Sequence, residues 1–301
     1  MELGLTALID PRLWPLVDES RAFYEKRAAG RGPNGVAELH AFRAAAADTA
    51  PADPPAVEEL ATVGGRSVPL RIHTPAGRAK GVFLEIHGGG FYMGSAAGSD
   101  LRNRRLADAL GVAVVSVDYR LAPENPWPAA PDDCETAALW LIEHAAQRFG
   151  TTMLAVGGFS AGATLAMTTL LRLRDRGVNE FACAVLEFGT YDLSARTPAG
   201  RLIADEYFLE AYAETASDRT DPDLSPIYAE LDDLPAILIV VGAADILLQD
   251  NLAMAARLAA FGAEVSLQVY PDAPHGFTGH PTPMARAALD DIQTWLTGQL
   301  E

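Results

Sequence analysis

The chain predicts an α/β fold: a mostly parallel β-sheet covered by helices on both faces. Three observations carry this. Short apolar runs recur that do not alternate with polar residues, as in Ala236 to Val241, and such strands are buried on both sides. Amphipathic stretches of helical period separate these runs, as a parallel sheet requires. One run, Met153 to Val156, leads directly into Gly158-Phe159-Ser160-Ala161-Gly162 and then into a helical stretch. That is a strand, a sharp turn centred on a serine, and a helix.

The elements follow in order. Asp18 to Ala29 and Asn34 to Ala47 predict two helices, the first carrying Phe23 and Tyr24. Ala50 to Pro55 breaks the pattern, because its prolines forbid helix and favour extended chain. Strands are expected at Ser67 to His73 and Gly81 to Ile86, then a helix over Gly98 to Leu110 and a strand over Val112 to Val117. A helix over Pro131 to Phe149 precedes the strand at Met153. Ala161 to Arg174 is a helix and Ala182 to Leu186 a strand. Ala236 to Val241, rich in β-branched residues, is a strand, Asn251 to Phe261 a helix, Glu264 to Tyr270 a strand and Pro283 to Leu300 the last helix. Residues 196–226 interrupt the alternation and are too long for a connecting loop. They read as an insertion over the carboxyl ends of the strands, where open parallel sheets bind ligands. With residues 1–50 it forms a helical cap on a main domain spanning 51–301.

Hydrophobic residues make up 49% of the 301, enough to bury a large core. A net charge of −17 disfavours nucleic acid and anionic lipid as partners. No apolar stretch approaches the ~20 residues of a membrane span, and the N-terminus lacks a basic, apolar leader pattern, so a cytoplasmic location is expected. Two cysteines, Cys134 and Cys183, suggest no disulfide framework and are expected reduced. Lysine occurs only at positions 26 and 80.

The chemistry concentrates in four places. Ser160 is a candidate nucleophile, lifted above the sheet by its turn, with a helix N-terminus behind it. His87-Gly88-Gly89-Gly90-Phe91 ends a strand, and its glycines let backbone N–H groups approach a ligand. The amides of Gly88, Gly89 and Ala161 are the candidate oxyanion hole. A serine hydroxyl needs a base, and the base needs an orienting acid. Downstream of Ser160 only His275 and His280 are histidines. His275 follows the last strand, whereas His280 reads as a solvent-facing loop residue. Asp245, one turn after the strand Ala236 to Val241, is placed to accept from His275 Nδ1–H. Asp250 reads as a helix cap, and Asp272 follows the wrong strand for the acid. His87 reads as a structural buttress of the glycine loop. The histidine spacing makes no metal site, and no glycine-rich nucleotide motif follows a strand, so no metal and no cofactor are expected. Tyr92, Tyr207, Phe208 and Tyr212 are candidate pocket lining, with packing inside the cap as the competing reading.

The glycine motif, Asp118-Tyr119-Arg120-Leu121-Ala122-Pro123-Glu124, the Gly-x-Ser-Ala-Gly turn and Pro274-His275-Gly276-Phe277 together resemble the bacterial hormone-sensitive-lipase-like esterases of the α/β-hydrolase fold, over roughly residues 60–300. The resemblance implies a serine hydrolase of carboxylic esters acting without cofactor, favouring short acyl chains on a small-molecule substrate, as a monomer or homodimer. An amidase, lactonase or acetyl-hydrolase of a specialised metabolite would use the same residues, and an acyltransferase would exclude water. Plant gibberellin receptors are similar to the family but lose the catalytic histidine position, which His275 fills here. Two positions depart from the family pattern. Phe159 stands where an aspartate is usual, and Ala163 where a second glycine is usual. Phe159 is therefore expected to alter a pocket wall or the pH response.

Overall fold

The computed structural model describes residues 4–27, 32–46 and 52–300. Residues 1–3, 28–31, 47–51 and 301 lie outside the described residues, and with them the expected helix ends at Ala29 and Ala47 and the start of the proline-rich break.

Eight strands form one sheet in the order β1-β2-β4-β3-β5-β6-β7-β8. They are β1 (Val57–Val63), β2 (Arg66–His73), β3 (Val82–Ile86), β4 (Ala113–Val117), β5 (Leu154–Phe159), β6 (Phe181–Glu187), β7 (Ala236–Gly242) and β8 (Val265–Tyr270). From β4 to β8 all neighbours run parallel, while β1–β2 and β2–β4 are antiparallel. β1 has no counterpart in the sequence reading. It is an edge strand in which only Ala61 is buried, so it lacks the apolar run that marks the central strands. Its signal is the Gly64-Gly65 pair between Val63 and Arg66, a two-residue hairpin turn.

Helices α3 (Asp100–Leu110) and α8 (Pro283–Gln299) cover one face; α4 (Ala129–Phe149), α5 (Ala161–Asp175) and α7 (Leu248–Ala260) cover the other. Strand side chains alternate between the two layers. On β5, Leu154 and Val156 join the α4–α5 side and Ala155 the α3–α8 side; on β7, Ile237 and Ile239 oppose Leu238 and Val240. Cys134 lies in the α4–α5 layer and Cys183 on the α3–α8 side, both buried and free.

Residues 1–50, expected in the cap, pack in two separate places among the described residues. Ile9, Leu13 and Val17 are buried against the α3–α8 layer, and α1 (Val17–Tyr24) continues from there towards α8. Their apolar spacing is a docking face against the main domain. The second helix, α2 (Val36–Ala46), packs with the other layer through the fully buried Leu39. The insertion holds one short helix, α6 (Tyr207–Ala213), and single 3-10 turns at Gly200–Ile203 and Pro226–Tyr228. Trp127 anchors it, donating its backbone N–H to Tyr212 O at 2.9 Å and its indole N–H to Asp223 at 2.8 Å.

Among the described residues, no helix is long and apolar enough to cross a membrane.

Candidate active site

Ser160 links β5 to α5 with φ 54° and ψ −124°, a region that non-glycine residues rarely enter. Its N–H donates to Glu187 O at 2.9 Å on the neighbouring strand. The turn is held by close backbone approach. A Cβ at Gly162 would lie 1.9 Å from Ile86 O, so only glycine fits where the first turn of α5 crosses the end of β3. The alanine at 163 is accommodated: it is fully buried, and its N–H donates to Ser160 O at 2.9 Å.

Three neighbouring connections bring the polar groups together. Asp245 follows β7 and His275 follows β8, both at the carboxyl end of the sheet. His275 Nδ1 lies 3.1 and 3.0 Å from the two Asp245 oxygens, and His275 Nε2 lies 2.9 Å from Ser160 Oγ. Facing a carboxylate, Nδ1 carries the proton, and Nε2 is free to accept from the serine hydroxyl. The Asp245 side chain is fully buried, and Leu247 N–H also donates to its Oδ1 at 2.8 Å. The Phe188 ring stands edge-on to the imidazole at 5.1 Å. The His275 side chain is 36% exposed, open to an approaching molecule.

The amides of Gly88, Gly89 and Ala161 make no backbone hydrogen bond among the described residues. His87 is buried beneath them, its Nδ1 2.8 Å from Gly88 O and its ring stacked on Tyr119 at 4.1 Å. Burial lowers its pKa, so it sits there uncharged.

The aromatic candidates separate. Tyr207 meets Tyr92 edge-on at 6.2 Å, and Phe208 lies parallel to Tyr92 at 6.3 Å; both cap rings are half-buried beside the glycine loop. Tyr212 is a correction: it is fully buried and stacks on Phe91 at 4.0 Å, a packing residue beneath the cap. Side chains on β5 alternate, so Phe159 shares the α3–α8 face with Ala155, and its ring lies against the glycine loop, where a Cβ at Gly88 would meet it at 2.6 Å. Its ring lies under the Arg102 guanidinium at 5.0 Å and lines a cleft of about 440 Å³ together with Leu106, Phe188, Gly276 and Ile292.

Two other residues depart from the sequence reading. Asp250 is not a cap. It sits inside α7, buried, and accepts from the backbone N–H groups of Tyr191 and Asp192. Burial pushes its pKa up to about 7. His280 is not solvent-facing. It is half-buried between Phe23 and Tyr24, with Nδ1 3.3 Å from Tyr24 OH. Sequence reasoning also passed over Arg43 on α2. It donates to Tyr92 O at 2.8 Å, to Ala122 O at 2.5 Å and to Glu124 at 2.7 Å, tying the helix to the glycine loop. A lone arginine on an alanine-rich helix carries no local pattern that would reveal this.

The chain matches a family model described as alpha/beta hydrolase fold over residues 83–279. It is 32% identical over 288 residues to ethyl acetate hydrolase of Pseudomonas putida, covering 85% of this chain and 90% of that protein. It is 33% identical over 243 residues to the FAD-linked oxidoreductase pytB of Aspergillus terreus, covering 74% of this chain but 29% of that protein, so the chain spans under a third of that relative. Among solved structures, a hyperthermophilic esterase from the archaeon Pyrobaculum calidifontis superposes with a TM-score of 0.81 at 26% identity, covering 96% of this chain and 98% of that one.

Proposed function

The chain belongs to the alpha/beta-hydrolase fold family, among its hormone-sensitive-lipase-like carboxylesterases, and on that premise we propose that Ser160 carries an acyl group from a small-molecule ester to water. The observation that carries this reading is the unbroken relay from Asp245 through His275 to Ser160 Oγ, each link at hydrogen-bond distance.

His275 takes the hydroxyl proton as Oγ attacks the ester carbonyl. Asp245 holds the tautomer and stabilises the imidazolium. The negative charge that forms on the carbonyl oxygen meets the amides of Gly88, Gly89 and Ala161. One such donor contributes about 3 kcal/mol to the transition state. The tetrahedral species collapses, the alcohol leaves with the proton from His275, and an acyl-enzyme remains. Water, deprotonated by His275, attacks that ester, and the acid leaves with Ser160 restored. The cap, formed by α2 and the 196–226 insertion, supplies Tyr207 and Phe208 as an apolar wall with Tyr92. Crowding of these rings beside the glycine loop supports a short acyl group, as does the similarity to an ethyl acetate hydrolase.

Two measurements test this. A fluorophosphonate should add its mass to the peptide containing Ser160 in the wild type; a missing adduct, or one elsewhere, overturns the nucleophile. Across p-nitrophenyl acetate, butyrate, octanoate and palmitate, kcat/KM should peak at acetate or butyrate; a maximum at palmitate overturns the short-chain reading.

A further inference from the structure

Glu187 closes β6 and is 3% exposed, a carboxylate at the end of an otherwise apolar strand. A buried carboxylate is costly unless it is paired, and an apolar side chain in its place is often at least as stable. Its position needs another reason, and three contacts supply one. Its backbone carbonyl accepts the N–H of Ser160 at 2.9 Å, in register opposite Phe159. Its Oε2 accepts from Thr278 Oγ1 at 2.7 Å, three residues beyond His275 in the same loop. Its Oε1 pairs with Arg102, whose guanidinium also covers the Phe159 ring. The next residue, Phe188, sets its ring against His275 and is held there at φ 40° by a 2.7 Å bond from its N–H to Val240 O. One residue thus grips the nucleophile by its main chain and the histidine loop by its side chain.

We propose that Glu187 is a positioning residue that sets the separation between Ser160 Oγ and His275 Nε2. This rests on the nucleophile and base assigned above. Thr278 is half of the device. Without the Thr278–Glu187 bond the histidine loop keeps its fold but loses its register with the serine. Misplacement by about 1 Å costs on the order of 100-fold in rate. Arg102 is the anchor that holds the other carboxylate oxygen at the carboxyl end of the sheet.

The test uses Glu187→Leu, which is of similar size but has no acceptor, and Thr278→Val, which keeps shape and loses the donor. Each should lower kcat for p-nitrophenyl butyrate about 10-fold to 100-fold and slow fluorophosphonate labelling of Ser160 in parallel, with KM within about twofold. Because both cut one tie, the double variant should be no slower than the worse single one. Thr278→Ser, which restores the hydroxyl, should recover most of the loss. Unchanged kcat with only a lowered Tm, or losses that multiply in the double variant, overturns the proposal. If Glu187→Leu does not fold, Thr278→Val and Thr278→Ser decide alone. Failure of the underlying reading would show separately, as wild-type protein that the fluorophosphonate does not label at Ser160.

Discussion

The serine turn between β5 and α5 (the elbow) and the region of α2 and α6 (the proposed cap) lie at the same carboxyl end of the sheet and are built by different means. At the elbow the backbone does the positioning. Ser160 is fixed by main-chain bonds to the next strand, and α5 approaches β3 so closely that one added carbon at position 162 would fall 1.9 Å from Ile86 O. In the cap, side chains do the work. α2 is tied down by Leu39 and by the three acceptors of Arg43, and α6 by rings stacked on the glycine loop. A catalytic group must be placed within a fraction of an ångström, whereas a pocket wall can be refitted residue by residue. The serine turn therefore accepts added size only where the main chain leaves room, as at Ala163 and not at Gly162, and the attached region accepts more.

This contrast can be broken or sharpened by substitution, in falling order of effect. Ser160→Ala should reduce kcat by about 10⁴-fold or more with an unchanged far-UV spectrum. A loss under about tenfold would remove the elbow from the chemistry. Gly162→Ala should lower unfolding stability in urea by about 3 kcal/mol, since the main chain of Ile86 and His87 leaves nowhere for the methyl to go. The cap control, Gly35→Ala, meets nothing within 4 Å and should shift stability by about 0.5 kcal/mol or less. Equal losses at 35 and 162 would erase the distinction.

Asp250 lies between the two regions, beneath the segment leading from β6 to the insertion. Burial raises its carboxyl from 3.8 to about 7, so the folded protein holds a proton that the unfolded chain has released. Stability from this group is therefore full below pH ~4 and declines as pH rises to ~7. Asp250→Asn should flatten that decline, gaining roughly 2–4 kcal/mol relative to wild type between pH 5 and pH 8 in urea melts. A wild-type profile that rises over this interval would reverse the sign. Apart from the Gly35 control, the smallest effect belongs to α2. Arg43 is partly exposed, so Arg43→Ala should cost about 1 kcal/mol, read as a severalfold rise in KM for p-nitrophenyl butyrate with kcat nearly constant.

Sequence made the central sheet legible because strands buried on both faces leave runs with no polar interruption. The positions of Ser160, Asp245 and His275 were legible for a related reason: each lies one turn beyond such a run, and the fold brings run ends together. β1 escaped because an edge strand with one buried residue has no run to show. Ile9, Leu13 and Val17 escaped as docking residues because apolar spacing announces a face without naming what it packs against. The layer that Phe159 joins follows from counting alternate residues along β5 from Ala155, which assigns it to the α3–α8 side. Glu187 left a trace, a charge at the end of an apolar strand, but its partners Arg102 and Thr278 lie 85 and 91 positions away in the chain.

The two thiols offer a use that the fold itself creates. Cys134 and Cys183 are sealed on opposite sides of the sheet, and burial pushes both well above ordinary thiol acidity, Cys183 to about 12. Neither meets an alkylating reagent until its own layer parts. Mapping which sulfur is modified first under mild denaturant would time the opening of each side independently, without a fluorescent tag or an engineered label.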